Sequence, residues 1–374
     1  MGGSPVRESA LYCVGCGVPL QAADPKQPGY VPEKVLAEAE QDAVCQRCFR
    51  IRHYNEVAPV VQDPGYYEDL LQRIADTDSL VVQVVDLFDF DGSWIPDLPR
   101  WIGENPLLLI ANKIDLFPRS VRHGRIREWV RRSAERLGAN PVDIVLCSAA
   151  KGIYIREVMA AIERYRQGRD VYVVGVTNVG KSTLINRLLH DFGDGGQPIT
   201  TSPYPGTTLD TIRIPLEDGR TLIDTPGIVR KDRLSEWVSP ADLKVIVPKG
   251  TINPRVYQLN DRQTLFLGGL ARVDFIKGPR QPFVLYVSNA LYIHRTKYEK
   301  ADEIQRAHLG ELLTPPEDPS VLPPWRKQRF HIAGGGKQDL VIAGLGWIAV
   351  GKEAADIEVW VPEGIQVELR PSVI

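Results

Sequence analysis

The sequence contains no run of eighteen or more apolar residues, which excludes a helical membrane span. Residues 1–10 are polar and carry no apolar h-region, so no secretory signal is expected there. Cysteine is scarce, five residues in 374, and four of the five fall in two CxxC pairs. That usage argues against a disulfide framework and for metal binding in a reducing compartment, so a cytoplasmic location is expected. Charge of one sign is also lacking. A formal net charge of −2 gives the whole chain no pull toward nucleic acid or a membrane surface, although a local basic patch remains compatible with it. What is present, 43% hydrophobic and 25% charged residues, is the composition of a soluble globular protein. At 374 residues, two or three domains are expected.

The chain divides into three textures. Residues 1–60 hold both CxxC pairs, several Pro and Gly and little apolar periodicity, as a small metal-stapled module would. Over 61–228, short apolar runs at 80–86 (LVVQVVD), 107–111 (LLLIA), 143–147 (DIVLC), 171–176 (VYVVGV) and 220–224 (RTLID) have the look of buried parallel strands. Between them, 122–137 sets Ile126, Trp129, Val130 and Leu137 on one helical face, and 153–165 repeats that period. Alternating strand and helix implies a doubly wound α/β sheet. Residues 229–374 differ: runs at 263–267, 283–287, 339–343 and 357–361 suggest strands, with a helix at 299–313 and a Pro-rich stretch at 314–324. This part is expected to be a mostly β domain.

GVTNVGKS at 175–182 fits G-x-x-x-x-G-K-[ST] between an expected strand and an expected helix at 181–189. Such a loop cradles phosphates with the main-chain N–H groups of Asn178, Val179, Gly180, Lys181, Ser182 and Thr183. Lys181 would reach the β- and γ-phosphates and Ser182 would ligate Mg²⁺. DTPG at 224–227 ends an apolar strand; Asp224 suits a water on Mg²⁺, and the Gly227 N–H suits the γ-phosphate. PGTT at 205–208 lies in a Thr-, Ser- and Pro-rich loop, and Thr208 is the residue expected to complete Mg²⁺ coordination. A plain flexible loop is the alternative for that segment.

Base choice points to guanine. In NKID at 112–115, Asn112 and Lys113 lead to Asp115, whose carboxylate can accept both N1–H and N2–H₂ of guanine, a donor pair adenine lacks. SAAKG at 148–152 places Ser148, Ala149 and Ala150 where a loop supports guanine O6. Each segment follows an expected strand at its carboxyl end, where open α/β sheets bind ligands.

The cysteine pairs are CVGC, with Cys13 and Cys16, and CQRC, with Cys45 and Cys48. Four thiolates suit a closed tetrahedral Zn²⁺ site; a redox CxxC is the rival, without the βαβ context it needs. Cys147 stands apart, as a small core residue. Cations gather at Arg47, Arg50, Arg52 and His53, along 119–136 (Arg119, Arg122, Arg125, Arg127, Arg131, Arg132, Arg136), and at YIHRTKY (292–298) and WRKQRF (325–330), where aromatics interleave. The last two suit base stacking and phosphate contacts, yet solvated faces produce the same pattern.

These motifs resemble G1 to G5 of translation-factor-type GTPases, in the chain order G4, G5, G1, G2, G3 of circularly permuted GTPases. With a Cys₄ module in front and a β-rich tail behind, the chain resembles the YqeH family over nearly its full length. The resemblance implies a GTP-binding and GTP-hydrolysing switch in ribosome assembly, with the small (30S) subunit or its precursor and ribosomal RNA as partners, and neither membrane nor DNA. It also implies catalytic roles for Lys181, Asn178, Thr208 and Gly227. Ile228 stands where Ras-like enzymes carry a water-orienting Gln and cannot hydrogen-bond water. Asn178 occupies the position that in related GTPases helps hold K⁺, a cation that would supply the missing positive charge; stabilising the loop is its other possible role. A different class stays open: a zinc-bearing RNA-binding scaffold that senses GTP with incidental hydrolysis.

Overall fold

The computed structural model describes residues 64–192, 212–216 and 218–374, with shorter stretches at 11, 20–23, 29–37 and 45. Its first sheet holds β1 (Ser79–Asp86), β2 (Leu107–Asn112), β3 (Asp143–Leu146), β4 (Asp170–Gly175), β5 (Ile212–Pro215) and β6 (Thr221–Asp224). The spatial order is β3-β2-β1-β4-β6-β5, all parallel except β5, which runs antiparallel to β6. All eight residues of β1 and all six of β2 are buried, which is why these strands read as apolar runs, interrupted inside β1 only by Gln83.

Helices Ile155–Arg166 and Lys181–Phe192 follow the strands as their periodicity predicts. In His123–Arg136, Ile126, Trp129 and Val130 are buried. Leu137 departs from the expectation: it is the residue at the C-cap, 36% exposed, because the helix ends one residue before it and Gly138 turns the chain with φ of +79°.

The C-terminal half is all but β, as expected. Its strands are β7 (Arg255–Leu259), β8 (Gln263–Leu267), β9 (Ala271–Lys277), β10 (Gln281–Val287), β11 (Ile293–Lys297), β12 (Trp325–Ile332), β13 (Gln338–Ile342), β14 (Gly346–Val350), β15 (Ala355–Pro362) and β16 (Val367–Pro371). They form two antiparallel sheets, β16-β13-β14-β10-β7 and β11-β8-β9-β15-β12. Leu265, Phe275 and Val359 of one sheet and Phe283, Leu285 and Ile348 of the other share one core. The expected helix is shorter than its apolar pattern, Tyr298–His308, since Leu309 turns extended and Gly310 takes φ of +84°.

The two halves are not packed as separate bodies. Ile252, Tyr286, Val341, Trp347, Ala349 and Val373 from the C-terminal half are buried in the same core as β1, β2 and β4. Trp347 stacks on Tyr286 at 4.9 Å and lies 5.7 Å from Phe117 and 5.9 Å from Phe88. In return, Leu234 of the connecting segment is buried in the core between the C-terminal sheets.

Candidate functional site

The carboxyl ends of β1, β2, β4 and β6 meet at one edge of the first sheet, the place where such sheets bind ligands. Between β4 and helix Lys181–Phe192 the chain makes a tight loop with Asn178 at φ +65° and Gly180 at φ +90°. Gly180 is required there: a Cβ would sit 2.4 Å from Asn112 Nδ2. Asn112 is buried, and its Nδ2 donates to the Val179 carbonyl at 2.9 Å while its Oδ1 accepts the Ala149 N–H at 3.0 Å. One amide side chain thereby joins the phosphate-type loop to the SAAKG turn.

Lys113, at φ +70°, extends the same junction. Its ammonium lies 2.6 Å from Asp86 Oδ2 and donates to the Asn178 carbonyl at 2.9 Å. Asp115 follows in a 3₁₀ turn, Ile114–Leu116, with its side chain half-buried. Ser148 is buried, and its hydroxyl accepts the Lys151 N–H at 3.1 Å, shaping the turn that presents buried Ala149 and exposed Ala150. Cys147 is a core residue, as expected; burial first, then the charge of Asp115, pushes its thiol up to about 12.

At the opposite end, Lys181 is buried and its ammonium donates to Asp224 Oδ1 and to the Thr225 carbonyl. Asp224 is fully buried and its Oδ2 has no partner. Burial raises its pKa, and Lys181 pulls it back. Residues 227–228 lie against the loop: Ile228 N–H donates to the Gly175 carbonyl at 3.0 Å and Thr177 N–H to the Ile228 carbonyl at 2.9 Å. Ser182 and Thr183 are half-buried in the first turn of the helix.

The donor set fits a nucleotide phosphate chain with a divalent cation. A glycine cradle, the N-terminus of a twelve-residue helix, one buried cation and one carboxylate with an orphan oxygen converge at a single place. The structure brings together Asn112, Lys113, Asp115, Ser148, Asn178, Lys181, Ser182, Asp224 and Gly227. Thr208, Cys13, Cys16 and Cys48 lie outside the described residues; Cys45 is buried beside Val31.

Two groups escaped sequence reasoning. Asp86 ends β1 as Asp224 ends β6, a carboxylate closing an apolar run, which is a usable signal. Arg233 and Glu236 hold Thr177, and Asp89 holds Arg233; no local motif marks these three.

Comparison with known proteins bears on what this site does. Residues 170–264 match the family model described as "50S ribosome-binding GTPase", and residues 280–373 match "YqeH-like, C-terminal". The chain is 47% identical over 366 residues to the "Uncharacterized protein YqeH" of Bacillus subtilis (strain 168), covering 97% of this chain and 99% of that protein. The chain belongs to the YqeH family. A more distant relative is "NO-associated protein 1, chloroplastic/mitochondrial" of Arabidopsis thaliana, 29% identical, with 98% of this chain and 77% of that protein covered. Among solved structures, GNP-bound YlqF from T. maritima matches with a TM-score of 0.31 at 21% identity, over 49% of this chain and 67% of that one. As a YqeH-family P-loop protein, the chain binds guanine nucleotides and hydrolyses GTP. Its base-side motifs precede its phosphate-side motifs in the chain, the permuted order, so that β6 and Gly227 lead directly into the C-terminal half. Among the described residues of this YqeH-family chain, no helix is long and apolar enough to cross a membrane.

Proposed function

We propose that this chain is a GTP-controlled ribosome-assembly factor acting on the small (30S) subunit or its precursor, with ribosomal RNA as the surface it reads. The observation that carries the reading is the covalent path from Asp224 and Gly227, at the phosphate end of the site, straight into a β half whose edge strands are basic. β11 and β12 are the two edges of one sheet, and they expose Arg295 and Lys297, and Arg326, Lys327, Arg329 and His331. Tyr292 is exposed beside the first set, so cations and an aromatic face solvent together, as phosphate contact and base stacking require. Several of these cations already hold carboxylates, Arg326 with Glu363 and Arg329 with Glu358, pairs that RNA phosphates would have to replace. The choice of the small subunit rests on the family resemblance.

Within the site, Asp115 reads guanine, Lys181 holds the β- and γ-phosphates, and Ser182, Thr208 and Asp224 serve Mg²⁺ directly or through water. Magnesium neutralises charge on the transferred phosphate. Ile228, whose side chain packs against the main core, leaves no side chain there to orient water. Asn178 supplies a K⁺ ligand through its side-chain oxygen, and support for this comes from its place in the phosphate loop, at φ +65° between β4 and the helix that starts at Lys181. The domains are a zinc module at 1–60, held by Cys13, Cys16, Cys45 and Cys48, the GTPase at 61–228 and the RNA-binding part at 229–374.

Pelleting the full-length chain with 30S and 50S particles under GTP, GDP and a non-hydrolysable analogue tests this reading. Co-sedimentation with 30S that differs between nucleotides is the expected result; binding to 50S alone, or equal binding in every state, overturns it. A scaffold with incidental hydrolysis predicts no rise in kcat when 30S particles are added.

A further inference from the structure

Arg233 is 3% exposed, six residues past Gly227 on the segment joining the two halves. Its Nε donates to Asp89 Oδ2 at 2.8 Å, and its Nη1 donates to the Thr177 carbonyl at 3.0 Å and lies 3.4 Å from Glu236 Oε1. Glu236 Oε1 also accepts the Thr177 hydroxyl at 2.9 Å. Thr177 belongs to the phosphate loop, so that loop is gripped by its carbonyl and by its hydroxyl from one short stretch of chain. Because the peptide is trans, holding the Thr177 carbonyl fixes the opposite direction of the Asn178 N–H.

The other carboxylate oxygen of Asp89 faces the C-terminal half. Asp89 Oδ1 accepts the N–H of Gly344, in the β13–β14 turn, at 3.0 Å. The same turn touches the connecting segment, with Leu234 N–H donating to the Ala343 carbonyl at 2.9 Å. The approach is close enough that a Cβ on Gly344 would lie 2.7 Å from Ser235 N, and Gly344 has φ of +77°. Burial works against charge on Arg233, and Asp89 and Glu236 together keep it protonated.

We propose that Arg233 is a positioning residue of the GTPase cycle, tying the segment after Gly227 to the phosphate loop through Thr177 and, through Asp89, to the Gly344 turn of the C-terminal half. A buried guanidinium does not tolerate loss of its partners. Residues 225–236 therefore move only together with Thr177 and the 343–345 turn, or by exchanging this set of bonds for another. Two discrete arrangements follow, and a change at the phosphate end is passed to the β half as a shift between them. The proposal rests on the reading that the C-terminal half follows the nucleotide.

Hydrogen exchange across residues 338–350 of the full-length chain, with GDP and with a non-hydrolysable GTP analogue, tests both. Wild type is expected to differ between the two states by about tenfold in exchange rate, within the range of ordinary allosteric coupling. Arg233→Met combined with Asp89→Leu removes that ion pair, and leaves Glu236 held by the Thr177 hydroxyl alone. It is expected to hold GDP within about threefold of wild type, abolish the nucleotide-dependent difference, and lower kcat about tenfold with KM little changed. Arg233→Lys, which keeps the ion pair, is expected to restore part of both. If wild type shows no difference, the nucleotide-following reading fails and the proposal with it. If wild type shows it and the double variant keeps both the difference and kcat, the reading stands and Arg233 is not the coupling residue. If Arg233→Lys rescues nothing and every loss tracks the unfolding midpoint, the residue is purely structural and the proposal is overturned.

Discussion

Thr251 Oγ1 donates a hydrogen bond to the main-chain carbonyl of Asp115 at 3.0 Å, across 136 residues of sequence. Beside it the Ile252 N–H donates to the Leu116 carbonyl at 2.9 Å, and Asn289 Nδ2 holds the Thr251 carbonyl at 2.9 Å. The turn that sets the direction of the Asp115 carboxylate is therefore held by the C-terminal half. Thr251→Val is expected to weaken GDP binding two- to fivefold, the worth of one hydrogen bond of about 0.5–1 kcal/mol. Stopped-flow binding of a fluorescent GDP should place the change in the dissociation rate. A change confined to the association rate contradicts the argument.

Asp115→Asn is expected to shift preference from GTP toward XTP, because an amide donates where the carboxylate accepted. Competition binding with both nucleotides measures it. Unchanged selectivity would remove residues 112–115 from the role of base reader.

Turnover is expected to be faster in K⁺ than in Na⁺ at equal ionic strength, with Asn178→Ala cancelling the difference. Steady-state GTPase rates in the two salts decide this. Equal wild-type rates would leave Asn178 only its part in the φ +65° turn of the loop.

Glu368 carries a pH signature. Burial, then a hydrogen bond to Asp91 and repulsion by it, push Glu368 up to about 7, with Arg370 and Arg136 opposing. Burial also resists charge on Asp91, yet Arg370, the Glu368 hydrogen bond and Arg136 hold it below the usual carboxylate range. A raised folded-state pKa means the folded chain keeps a proton that the unfolded chain has lost. Its stabilising contribution is thus fully present below about pH 4.5, the ordinary value, and is gone above about pH 7. Relative to Glu368→Gln, wild type should lose on the order of 2 kcal/mol of unfolding free energy between pH 5 and pH 8, after allowance for solvent screening. Denaturant titrations of both proteins across that range check it; parallel curves count against the assignment.

Purified chain is expected to carry about one Zn²⁺. Cys45→Ser should lose it while GDP affinity stays within about twofold. Elemental analysis and GDP titration report the two quantities separately, and zinc-free wild type defeats the Cys₄ reading.

The first sheet was legible because parallel strands buried on both faces leave largely apolar runs: residues 80–86 and 107–111 fall within β1 and β2. The nucleotide loop was legible because Gly180 and Lys181 meet local demands, a φ of +90° and a cation at a helix start. The strands at 263–267, 283–287, 339–343 and 357–361 were found, but not their pairing. Alternation names a strand's face and says nothing of its neighbour, and β9 pairs with β15 some eighty residues on. Arg233 and Thr251 were invisible for a related reason. Their partners, Thr177 and Asp115, lie far away in sequence, and an arginine or a threonine in a connecting segment carries no periodic mark.

Trp347 gives the molecule its thermodynamic character. Its ring is 1% exposed, among Phe88, Phe117 and Tyr286, so each half supplies part of the other's interior. Removing such a side chain costs about 3–5 kcal/mol, a large fraction of what holds an ordinary domain together. Calorimetry should accordingly record one heat-absorption peak for residues 64–374, and mild protease should not liberate a durable nucleotide-binding fragment. A chain built this way cannot lend out its enzymatic half as a free-standing part, because the interior of that half is completed by residues translated more than two hundred positions later.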